Sequence, residues 1–118
     1  MTLCYHGIVS FLRSANKGRS EGMFNNKRYI TVGVHQTIPK SIQEFLWELI
    51  DDMTAQKDYL QVFELTISKR QQELEHRQEK PPYSKKYILR HFTSKPITAK
   101  IFVIGNGEYS TMMLASEY

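Results

Sequence analysis

The stretch Ile38–Gln56, IPKSIQEFLWELIDDMTAQ, constrains the fold more than any other part of this 118-residue chain. Ile42, Phe45, Leu46, Leu49, Ile50 and Met53 recur at the i, i+3, i+4, i+7, i+8 spacing that gathers them on one face of a helix. Gln43, Glu44, Glu48, Asp51 and Asp52 then face solvent. Proline has a fixed φ and no N–H, so Pro39 suits a first helical turn, and the Thr37 hydroxyl can accept hydrogen bonds from amides left unpaired there. The spacing predicts a helix starting near Ile38. Trp47 lies at the border of the stripe and reads as a core-edge residue or, if partly exposed, as an interface anchor. Such a stripe needs a flat apolar partner, which the rest of the chain must supply.

Strand signals surround the helix. Lys27–Val34, KRYITVGV, is rich in β-branched and aromatic residues, with Gly33 marking a bulge or a close backbone approach. Tyr59–Ile67, YLQVFELTI, places Tyr59, Phe63, Leu65 and Ile67 on one face and Leu60 and Val62 on the other, as a central strand would. Residues 68–80 read as a turn followed by a short polar edge strand, Leu74–Gln78. Pro81 and Pro82 then end any helix, and Tyr83–Phe92 can form another strand. Ile97–Ile104 and Tyr109–Leu114 flank Asn106–Gly107, a hairpin signal because both residues tolerate positive φ. Strand, helix and several tightly joined strands predict an α+β fold: a mostly antiparallel sheet of five or six strands with one long amphipathic helix packed on one face.

Residues 1–22 show no sustained period, and SANKGRSEG reads as loop. We expect them to be a disordered extension, or sequence upstream of a native start at Met23, because Arg19–Ser20 can be encoded by a ribosome-binding sequence. Residues 23–118 then form a single domain. Cys4 is the only cysteine, so no intrachain disulfide can form, and no apolar run reaches the length of about 20 residues that spans a bilayer. A cytoplasmic location is the natural expectation.

From Met23 onward the segments MFNNKRYIT, IPKSIQEFLWELID, DYLQVFEL, HRQEKPPY, KPITAKIFVI and GEYSTMMLASEY resemble the uncharacterised family catalogued as domain of unknown function 960. That family occurs in Firmicutes and their bacteriophages. The resemblance implies a bacterial setting, often phage or prophage, but carries no activity and no catalytic residue onto this chain.

Charge is uneven. Residues 36–67 hold two Lys/Arg against six Asp/Glu, and residues 68–100 hold nine against three, within a net charge of +4. The basic stretch supplies a candidate patch for nucleic acid or another partner: Lys69, Arg70, His76, Arg77, Lys80, Tyr83, Lys85, Lys86 and Arg90. Cations neutralise phosphates and exposed aromatics stack on unpaired bases. The plainer reading is solvated strand faces with the aromatics in the core. His76 with Glu79 is the one pair suggestive of acid–base work, yet neighbours along a strand point to opposite faces. The four histidines lack zinc-ligand spacing, Gly105–Asn106–Gly107 is better read as a hairpin than a phosphate loop, and no nucleophile elbow surrounds Ser110. The expectation is a non-enzymatic accessory protein with no cofactor or metal, acting on a host or phage protein. A nucleic-acid-binding accessory protein is the alternative; a homodimer is compatible with either, and a membrane is not an expected partner.

Overall fold

Thr31 decides where the first helical segment begins. In the computed structural model, which describes residues 8–11, 24, 27–90 and 95–118, strand β2 (Lys27–Thr31) stops there and helix α1 (Val32–Thr37) starts. Thr31 is extended, and its hydroxyl accepts from the amide of Val34, as an N-cap does. The predicted strand through Val34 is therefore too long by three residues. A local side-chain cap outweighs the β propensity of the two valines.

The predicted helix at Ile38 is corrected as well. Proline disfavours helical geometry in the residue before it, and Ile38 is extended at φ −107°, ψ 121°. Helix α2 consequently runs Lys40–Asp51, with Pro39 as an N-cap that lacks a side-chain bond. Thr37 closes α1 instead, its hydroxyl donating to the carbonyl of Gly33 at 2.7 Å. The 12-residue α2 is one helix of moderate length rather than a long one.

Among the described residues seven strands form one mixed sheet: β1 (Ile8–Phe11), β2, β3 (Leu60–Ser68), β4 (Gln71–Gln78), β5 (Tyr83–Leu89), β6 (Ala99–Gly105) and β7 (Tyr109–Leu114). Their order is β1-β2-β7-β6-β3-β4-β5. β2 and β7 are parallel, with Ile30 opposite Met112, whereas the other pairs are antiparallel. This corrects the mostly antiparallel sheet of five or six strands. Loop reading does not extend to Ile8–Phe11, which pair with β2, and the rest of residues 1–22 lies outside the described residues.

The helices cover one face. Ile42, Leu46, Leu49 and Ile50 of α2 share a buried core with Phe63, Leu65, Leu74, Ile101, Val103 and Met112 of the sheet. Each such side chain contributes roughly 1.5–3 kcal/mol on burial. Gln43 and Trp47 also face inward, which widens the predicted stripe. The Gln43 amide donates to the carbonyl of Ile38 at 2.7 Å and, at 3.4 Å, to that of Val34, which also accepts the Ile38 amide closing α1.

The short 3₁₀ turn Ala115–Glu117 fastens the chain end to α1. Glu117 Oε1 accepts from Thr31 Oγ1 at 2.6 Å and from the Leu114 amide at 2.8 Å. A Cβ on Gly33 would lie only 2.5 Å from Glu117 Oε2, so the close approach expected of this glycine is to the C-terminal turn. Alanine normally stabilises a helix interior over glycine by about 0.5–1 kcal/mol. Here Gly33→Ala is expected to destabilise by about 1 kcal/mol, because a doubly bonded carboxylate must move. In a Glu117→Ala background the same substitution becomes stabilising; urea denaturation of the four proteins checks the change of sign.

Candidate functional site

β4 is the unusual strand. It turns Gln72, Leu74, His76 and Gln78 toward the helices, and all four are buried. It lies between β3 and β5, so the predicted polar edge strand is an interior one. The His76 ring stacks on Phe63 with centroids 4.3 Å apart and meets Tyr83 edge-on at 5.2 Å. Its Nε2 lies 2.7 Å from Gln61 Oε1. Because Gln61 Nε2 donates to Gln78 Oε1 and to the carbonyl of Asp58, the Gln61 oxygen accepts and His76 Nε2 donates. Gln78 in turn donates to the carbonyls of Gln56 and Pro81, tying two loops to the sheet.

Burial pushes the His76 pKa down from 6.5 to about 4, with Lys85 on the neighbouring strand adding to the effect. The imidazole is neutral at physiological pH and serves as a packed donor. Glu79 is exposed in the turn after β4, so the two groups of the acid–base pair do not converge.

The basic series is divided by the register of the sheet. Lys69 and Arg70 form the β3–β4 turn at one end, both at positive φ, while Lys80 is in the turn at the other end. Tyr83 and Lys85 share the helix-covered face with His76, because Lys85 is opposite His76 and Tyr83 opposite Gln78. Lys86 is on the opposite face, and Arg90 follows β5 and is exposed. Arg77, also on that opposite face, is committed to Glu64 at 3.0 Å and Glu75 at 3.2 Å. His91 and Phe92 lie outside the described residues. Trp47 is 1% exposed beneath the Arg28 guanidinium, which corrects its reading as an interface anchor: a buried indole offers no contact area to a partner.

What the sequence did not single out is the sheet face turned away from the helices. Across β3, β6 and β7, one row of this face reads Val62, Phe102, Met113. The next row reads Leu60, Ile104, Thr111 and, on β2, Tyr29. Tyr109 follows, its ring edge-on to Tyr29 at 5.7 Å, and Tyr118 lies edge-on to Phe102 at 5.6 Å. Thr111 and Met113 are buried at its centre, whereas Tyr109 and Tyr118 are 37% and 58% exposed. Toward β4 and β5 the same face becomes charged, with Glu64, Glu73, Glu75 and Lys86 lining a shallow trough of about 530 Å³. Among the described residues no helix of eight or more residues packs on this face. Its period-2 alternation was present in the sequence, and the strand order brought the separate alternations into one surface.

These features define a small α+β protein with one sheet face closed by helices and the other carrying an aromatic platform beside a charged trough. No group of three or more His, Cys, Asp or Glu among the described residues is arranged to hold a metal ion, and no described helix is long and apolar enough to cross a membrane. Residues 27–117 match the family model described as Staphylococcal protein of unknown function (DUF960), and the chain belongs to that family. Its fold is similar to the crystal structure of a protein of unknown function from Enterococcus faecalis, with a TM-score of 0.68 and 22% identity, covering 77% of this chain and 89% of that one. Among curated proteins no match is found.

Proposed function

We propose that this chain is a non-enzymatic accessory protein of bacterial or prophage origin, working in the cytoplasm by binding another protein through its aromatic platform. The observation that carries the reading is the two edge-on aromatic pairs, Tyr29–Tyr109 and Phe102–Tyr118, on a sheet face that the helices leave open. Tyrosine and phenylalanine are enriched in protein interfaces because they offer large contact areas at small entropic cost. The division of the basic residues between two faces and two ends favours this reading over nucleic-acid binding, which needs a continuous cationic track.

Tyr109→Asp tests it. Tyr109 is partly exposed, so the fold should persist, while a charge in the platform should weaken capture of the partner from a lysate of the source bacterium at least about tenfold. Equal capture by the variant, or a salt-dependent affinity for oligonucleotides that survives it, would overturn the platform in favour of another surface.

A further inference from the structure

The edge strand β5 shows how a second contact could be made. It is seven residues long and pairs without interruption with β4 from Gln78–Tyr83 to Gln72–Leu89. Among the described residues no strand pairs with its outer side, which leaves alternate N–H and C=O groups along it without a strand partner there. Natural edges are commonly blunted by a bulge, a proline or extreme shortness. β5 has none of these. Its protection consists of two adjacent lysines at its middle, Lys85 on the helix-covered face and Lys86 on the open one, both exposed.

Neither lysine is in an ion pair with a described residue. Lys85 lies opposite His76, which is neutral, and its ammonium group rests 5.9 Å from the Tyr83 ring centroid. Lys86 lies opposite Glu75, but that carboxylate already accepts from Arg77 and Ser84. From Lys80 to Arg90 the chain contains four cations and no acid. Antiparallel pairing of two copies about the centre of β5 would oppose lysine to lysine and is repelled. An extended strand with carboxylates on both of its faces would meet a cation on each.

We infer that β5 is a strand-addition site for an acidic extended segment of a partner protein, with Lys85 and Lys86 selecting that segment and excluding a second copy of this chain. This goes beyond the platform reading and stands or falls without it. The probe is a fluorescent seven-residue peptide of threonine and valine around two central glutamates, compared with the same peptide carrying two central lysines. The glutamate peptide is expected to bind at least about tenfold more tightly, more weakly as salt rises, with amide shift changes confined to β4 and β5. The K85E/K86E variant should reverse the preference, and Tyr109→Asp should leave it unchanged. Failure of both peptides to bind at millimolar concentration, equal binding of the two, or shift changes away from β5 would overturn the proposal.

Discussion

Asp51→Asn is expected to cost the fold about 3–5 kcal/mol, although it alters a residue at the end of a surface helix. Asp51 is the counter-ion of Arg28, whose side chain is 1% exposed. The guanidinium lies 4.6 Å above the centroid of Trp47, Nε and Nη2 donate to the carbonyl of Phe24 at 3.3 and 3.1 Å, and Nη1 donates to Asp51 Oδ2 at 3.3 Å. Removing the carboxylate leaves a buried cation that the ring and one carbonyl cannot neutralise. Replacing both partners with apolar residues, Arg28→Met with Asp51→Leu, removes the uncompensated charge and should recover most of the loss. Urea denaturation followed by the fluorescence of Trp47, the only tryptophan, measures both effects. A loss below 1 kcal/mol for Asp51→Asn would show that the pair contributes as a solvated surface bridge does.

The second large effect is a loss of stability in mild acid. His76 titrates near 6.5 in an unfolded chain and at about 4 in the folded one. Between these values the unfolded state holds the extra proton, so stability rises with pH through the window and is fully present above 6.5. As pH falls from 7 to below 4, this one group should withdraw about 3 kcal/mol. Protonation would place a charge between Phe63 and Tyr83, with only the Gln61 oxygen beside it. His76→Phe leaves Gln61 Oε1 without its donor and lowers stability at pH 7, yet it should flatten the dependence between pH 6.5 and 4. Parallel curves for the two proteins would mean that other groups control acid unfolding.

The helix stripe was legible because Ile42, Leu46, Leu49 and Ile50 repeat locally at the period of the helix that buries them. β7 was legible for a similar reason, lying beyond a turn in which Asn106 Oδ1 accepts from two amides and Gly107 takes φ +93°. The polar layer of β4 was not. Gln72, His76 and Gln78 read as solvent-facing because their partners are distant: Gln72 exchanges hydrogen bonds with the backbone of Ile97, and Gln78 with residues 56, 58 and 81. A glutamine that satisfies loop carbonyls looks, in sequence, like one that satisfies water. The parallel pairing of β2 with β7 was equally hidden, since nearly eighty residues separate the strands and no turn joins them. The aromatic platform depends on that pairing, which brings Tyr29 beside Thr111 and Tyr109.

Site-specific photo-crosslinking tests the platform most directly. A benzophenone amino acid replaces Tyr109 on the open face in one protein and Glu48 on the exposed side of α2 in another, and both are irradiated in cells of the source bacterium. The platform reading predicts a discrete protein adduct from position 109 that is absent from position 48. Adducts of equal pattern from the two positions, or none from position 109, would contradict it.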